Sequence, residues 1–195
     1  WWLNTDIKIE GELPSKDKVV IYAIKHQSAW ETVFCTDFFS MPSIVLKKAL
    51  IFLPVIGLYF LRSGAIPITR DQGINALKKM GRNAKIAVKK NRSMMIFPQG
   101  TRVSPGVSPK EKPYLPGVFF LYSQTKVPVV PVAHNAGLIW PKNSFIKYPE
   151  RLSSKSVTLK ILPEIQPGLS KKEFLSRLEA EIENASNELI KKELS

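Results

Sequence analysis

The stretch Val19-Val20-Ile21-Tyr22-Ala23-Ile24-Lys25-His26-Gln27-Ser28-Ala29-Trp30-Glu31 decides how this chain folds. Its first six residues are an unbroken apolar run of strand length. The period then changes. Trp30, Val33, Phe34 and Phe38 recur at helical spacing, which predicts a helix from about 28 to 41. A strand feeding a helix through a short polar turn is the unit of open α/β sheets, whose chemistry gathers at the carboxyl ends of the strands. His26 stands at such an end. Glu31 can reach back to its ring from the first turn of the helix. One ring nitrogen is then held by the acid and the other is left to take a proton. Two plainer readings compete here. A lone histidine at a strand end is often a polar cap, and Ser28-x-x-Glu31 spells a capping box in which the two residues satisfy each other's amides.

Composition bounds what the chain can be. With 195 residues, 44% of them apolar, it can bury one sizeable core, which excludes a disordered class. It begins at Trp1, which reads as a processed or trimmed chain. No run reaches the ~18–20 apolar residues of a membrane span. The greasiest segment, 49–61, is broken by Pro54 and Gly57 and suits a core helix or an interfacial hairpin. Cys35 is the sole cysteine, so an internal disulfide is excluded, and it reads as a small core residue. With two histidines and no spaced acidic cluster, no structural metal is expected. The formal charge of +13, from 29 Lys and Arg against 16 Asp and Glu, implies an anionic partner or a merely basic surface. Nucleic acid, acidic lipid headgroups and an acidic carrier protein all qualify.

The remaining elements follow from their patterns. Ile7 and Ile9 mark an opening strand. Ser43-Ile44-Val45-Leu46 is a short strand delivering Lys47 and Lys48 to its end. Ile66-Pro67-Ile68 reads as an edge strand, because proline removes a ladder donor. Asp71 caps a helix over about 72–91, with Ile74, Leu77, Met80, Ala84 and Ala87 on one face and lysines on the other, Ile86 among them. Ser93 to Phe97 is a buried strand. The proline-rich stretch 103–117 reads as a mobile loop. After a short helix over 118–125, Val127 to Val132 is a strand with edge-type prolines, and His134 is a turn residue near the site. Val157 to Leu162 is a last strand. Ser170-x-x-Glu173 opens a final helix with Phe174, Leu178, Ile182, Ala185 and Leu189 in one stripe. Strands alternating with helices predict a single α/β domain over 1–195, with a mixed, mostly parallel sheet flanked by helices.

A second constellation lies about seventy residues beyond His26. Phe97-Pro98-Gln99-Gly100-Thr101-Arg102 sets a glycine turn, a hydroxyl and a guanidinium after a strand. Backbone N–H groups and a planar cationic fork suit phosphate oxygens. Together with His26-x4-Glu31, Lys47 to Gly57, Gly64 to Arg70 and Val129-Val130-Pro131-Val132, it resembles the glycerophospholipid acyltransferase family, in its bacterial 1-acylglycerol-3-phosphate branch. The blocks occur in the family's order. Four residues depart from its pattern: Lys25 stands for asparagine, Ala49 for glutamate, Glu31 for aspartate and Gln99 for glutamate.

The resemblance implies transfer of an acyl group from a thioester to a glycerol hydroxyl. Acyl carrier protein or acyl-CoA would be the co-substrate, with no other cofactor. His26 would be the general base, Glu31 its support, and Arg102, with Gly100 and Thr101, the grip on the acceptor's phosphate. Lys47 and Arg70 are candidates for the same anion. Ser28 as a nucleophile is the rival. Such an enzyme meets its lysophospholipid at an anionic membrane surface. Peripheral or monotopic attachment on the cytoplasmic face of the cell membrane is therefore expected, helped by an upstream anchoring segment. Two alternatives stay open: the same fold acting on another lysolipid, such as a lyso-aminolipid, and a basic, non-catalytic nucleic-acid-binding module. The absence of aromatics interleaved with the basic residues speaks against the second.

Overall fold

In a computed structural model, residues 6–69, 73–144, 148 and 156–194 are described. The chain runs β1 (Asp6–Glu10), β2 (Ile21–Ile24), α1 (Trp30–Phe38), β3 (Ser43–Lys47), a 3-10 turn (Lys48–Phe52), α2 (Ile56–Arg62) and β4 (Ile66–Ile68). It continues through α3 (Gly73–Lys89), β5 (Met94–Ile96), α4 (Gly117–Thr125), β6 (Val129–His134), β7 (Ser156–Ile161) and α5 (Lys171–Leu194). The described strands form one sheet in the order β1-β7-β6-β2-β5-β3-β4. The β6–β7 pair is antiparallel and every other pair is parallel, so the expected mixed, mostly parallel sheet is observed.

Strand alternation splits the core in two. Ile21 and Ala23 of β2 face α3, α4 and α5, packing with Met80, Leu121, Phe174 and Leu178. Val20, Tyr22 and Ile24 face the other side, against Cys35 and Phe39 of the α1 region and Phe60 of α2. Period-2 projection thus buries consecutive residues on both faces, which is why β2 reads as an unbroken apolar run. The stripe predicted on α5 is buried throughout. Its capping box forms, with Ser170 N–H donating to Glu173 and Glu173 N–H to Ser170 Oγ.

Three expectations change. The Val127–Val132 strand is central, with β2 on one side and β7 on the other. Pro131 is tolerated because the β7 ladder stops at Val132–Ile161 and resumes only at a single Val129–Ile165 bridge. Its missing donor falls in that gap. The stretch 103–117 is pinned rather than loose. Val103 N–H donates to His26 O, Leu115 N–H to Pro98 O, and both Val103 and Tyr114 are buried. Helix α1 is shorter than predicted, starting at Trp30 and ending at Phe38. Asp71, the predicted cap of α3, lies outside the described residues.

Candidate active site

The sheet order explains why residues so far apart in sequence meet. β2, β5 and β3 are neighbours and run parallel, so their carboxyl ends open on one side. β2 delivers His26, β5 delivers Phe97 to Arg102, and β3 delivers Lys47. All of these except Gln99 line one cavity of about 670 Å³. Its other walls are apolar, with Leu46, Leu50, Phe60, Leu77 and Met80 among them.

His26 sits at the rim, its side chain 16% exposed, with its ring stacked on Phe97 at 3.9 Å. Nδ1 lies 2.8 Å from Glu31 Oε1. The same oxygen accepts the Gln27 and Ser28 amides, each at 2.8 Å. An oxygen that already takes two N–H groups fixes the tautomer, so Nδ1–H donates to it and Nε2 is left bare toward the cavity. The capping box here is half-formed: Glu31 bonds back to Ser28, but Ser28 Oγ accepts from Trp30 N–H instead of Glu31 N–H. Ser28 is wholly buried and absent from the cavity wall, which removes it as a nucleophile. Both roles proposed for Glu31 coexist, because the carboxylate divides its lone pairs between ring and amides.

Glu31 is fully buried, and burial alone would raise its pKa. His134, the His26 hydrogen bond and the Ser28 amide outweigh burial and hold it below the ordinary carboxylate value. It therefore stays ionised at neutral pH.

His134 is the residue the sequence misjudged. It is the last residue of β6 and wholly buried, not part of a turn. Its Nε2–H donates to Lys25 O at 2.7 Å and lies 3.8 Å from Glu31 Oε2, while Nδ1 accepts Ala136 N–H. Burial pushes its pKa below the usual histidine value, so it acts on Glu31 as an N–H dipole rather than as a cation. Lys25 is also buried, 2.5 Å from Glu183 of α5, which accepts the Tyr114 hydroxyl as well. This triangle ties the strand before His26 to the loop after Arg102. Lys25 follows β2 and His134 ends β6, strands that run side by side, an adjacency that neither strand's own sequence records.

Gly100 closes the β5 turn. Its φ of +64° suits glycine, and its N–H donates to Phe97 O at 2.9 Å. Arg102 and Lys47 line the cavity, and neither has an ion pair among the described residues. Gln99 turns away from the cavity, and its Nε2 donates to Lys112 O at 2.8 Å. Arg70 lies outside the described residues. No group of three metal-ligating side chains occurs among the described residues.

The acyltransferase family model matches residues 6–135, which include His26, Glu31, Lys47, Arg102 and His134. The chain belongs to the acyltransferase family. It is 39% identical over 137 residues to a 1-acyl-sn-glycerol-3-phosphate acyltransferase of Pseudomonas aeruginosa, covering 70% of this chain and 51% of that one. A Limnanthes douglasii protein of the same name is 29% identical over 167 residues, covering 85% and 56%. This chain thus spans about half the length of the curated acyltransferases it matches. Among solved structures, the 1-acyl-sn-glycerophosphate acyltransferase PlsC of Thermotoga maritima superposes with a TM-score of 0.76 at 25% identity, covering 96% of this chain and 73% of that one. The single acyltransferase fold expected from the sequence is therefore the one observed.

Proposed function

We propose that this chain transfers a fatty acyl group from a thioester donor, acyl carrier protein or acyl-CoA, to the sn-2 hydroxyl of 1-acylglycerol-3-phosphate, forming phosphatidic acid for phospholipid synthesis. The observation that carries the reading is the shared cavity. A histidine with one bare nitrogen, two cations with no ion pair among the described residues and a long apolar wall face the same space.

His26 Nε2 takes the proton of the acceptor hydroxyl as its oxygen attacks the thioester carbonyl. Glu31 holds the ring and stabilises the imidazolium. The tetrahedral intermediate expels the thiolate, which takes the proton back from His26. The thioester is already activated, so no covalent enzyme intermediate is required. Arg102 and Lys47, with Thr101, hold the acceptor's phosphate, and the apolar wall takes an acyl chain. Gly100 shapes the turn that presents Thr101 and Arg102, its own N–H being spent on Phe97 O. Arg70 is a further candidate for that anion.

The substrate lives in a bilayer, and the segment over 48–62 suits one. Phe52, Val55 and Leu58 are 75%, 78% and 68% exposed, beside the exposed Lys47 and Lys48. No helix among the described residues is long and apolar enough to cross a membrane. Peripheral attachment to the cytoplasmic leaflet, with this segment dipping into the headgroups, fits that surface.

The test is direct. The protein is incubated with lysophosphatidate and each donor, and the product is identified by mass. Phosphatidate bearing the donor's chain is expected. Acylation of lysophosphatidylethanolamine in preference to lysophosphatidate would move the reading to another lysolipid, and no ester product from any acceptor would end it.

A further inference from the structure

Helix α3 begins at the cavity and runs away from it. Ile74, Leu77 and Met80, in its first turns, line the cavity wall. Met80, Ala84 and Ala87 are buried in the core, so its apolar face is used up. Beside that face, starting from Ile74 at the cavity edge, Lys78, Arg82, Lys85 and Lys89 recur every three or four residues in one exposed stripe. Ile86, 51% exposed, lies beside it. The helix holds no acidic residue, and none of these cations has an ion pair among the described residues. Like charges at i and i+4, as in Lys78–Arg82 and Lys85–Lys89, destabilise a helix, so folding does not account for the stripe.

We propose that this stripe is the docking face for a small acidic carrier protein that presents the acyl chain as a thioester. The proposal rests on the acyl-transfer reading and selects between its two donors. Three features favour a protein. The stripe starts at the cavity mouth, where a thioester on a flexible arm must enter. It then extends ~16 Å to Lys85 and ~22 Å to Lys89 at 1.5 Å per residue, farther than a donor seated in the cavity needs. Ile86 supplies an apolar contact within a basic field, the mixture that specific protein interfaces use. A bilayer is the weaker fit. An interfacial helix inserts a continuous apolar face, and that of α3 is already buried apart from Ile74 and Ile86, whereas most of the exposed large apolar side chains near the cavity cluster at Phe52 to Leu61.

The far half of the stripe gives a clean test, because it touches nothing in the proposed chemistry. The wild type and the double variant Lys85→Glu, Lys89→Glu are compared with lysophosphatidate as acceptor and either palmitoyl-acyl carrier protein or palmitoyl-CoA as donor. The variant should raise KM for the carrier-borne donor about tenfold or more with kcat unchanged, and the gap should close in high salt. KM for palmitoyl-CoA should move by less than about twofold, since Coulomb coupling at that distance is screened. Equal shifts for both donors, or no shift, overturn the proposal. So does an unchanged carrier KM with weakened binding to phosphatidylglycerol vesicles, which would assign the stripe to the membrane. If the wild type transfers from neither donor, the transfer reading fails on its own terms. Titration of fluorescently labelled acyl carrier protein then decides docking separately. Saturable binding weakened by the double variant supports the face, and no binding rejects it.

Discussion

The His26 imidazole and the Glu31 carboxylate are held by their neighbours, whereas Arg102 and Lys47 carry charges with no ion pair among the described residues. Glu31 holds the imidazole and two backbone amides, Ser28 N–H also reaches its other oxygen with His134 Nε2 3.8 Å away, and Lys25 is locked to Glu183. Across the cavity, both cations lack ion pairs among the described residues. The first pair is oriented before any ligand arrives, as the proposed general base requires. In the proposed reaction the second is completed by the acceptor's phosphate. The contrast teaches that damage to the two walls should be read in different kinetic constants.

The largest effect is expected at the finished wall. His26→Ala should cost kcat about 10³–10⁴-fold with folding intact, because the ring makes one stacking contact and one hydrogen bond at a partly open rim. Near-normal turnover, with a wild-type melting temperature, would erase the contrast. Glu31→Gln keeps the shape but loses the charge that orients the ring and stabilises imidazolium. It should cost kcat about 10²–10³-fold with little change in KM. On the waiting wall, Arg102→Ala should raise KM for a phosphate-bearing acceptor about 10–100-fold and leave kcat within a few-fold. A kcat loss instead would mean that this wall is also preformed machinery.

Smaller effects sharpen the same comparison. Replacing Phe52, Val55 and Leu58 together by serine should weaken partition onto lipid vesicles about tenfold while thermal stability holds, since all three are exposed. Sedimentation with vesicles and a melting curve check both halves. Acid stability gives the most modest signal. The Glu31 carboxyl titrates lower in the folded chain than its ordinary value of 4.5. The unfolded chain therefore takes up that proton first as pH falls, and the stability Glu31 contributes is present above 4.5 and lost on acidification through its lowered pKa. Glu31→Gln should accordingly show a shallower fall in melting temperature below about pH 4.5 than the wild type. A steeper fall would mean that the carboxyl is not held ionised.

Local pattern made much of this legible. Val19 to Ile24 reads as a strand because both of its faces are buried. The α5 stripe and its Ser170–Glu173 box are written in helical spacing. Glu31 lies within one turn of His26, so their pairing can be anticipated. Contacts made by sheet order could not be. His134 is more than a hundred residues from Glu31, and only the adjacency of β2 and β6 brings them together. The prolines after Val127 imitate an edge strand, because a break in the neighbouring ladder leaves no trace in the strand's own sequence. The 103–117 loop looks mobile by composition, yet Tyr114, hydrogen-bonded to the same Glu183 that anchors Lys25, fixes it from α5.

The central claim is that a base and a phosphate grip serve one lipid from one cavity. Its most direct measurement is the wild-type kcat/KM for lysophosphatidate divided by that for the monoacylglycerol of equal chain length, with the same thioester donor. A preference of about 100-fold or more for the phosphate-bearing acceptor is expected, the scale of a single charge-assisted bidentate hydrogen-bond pair. Equal use of the two acceptors would contradict the account.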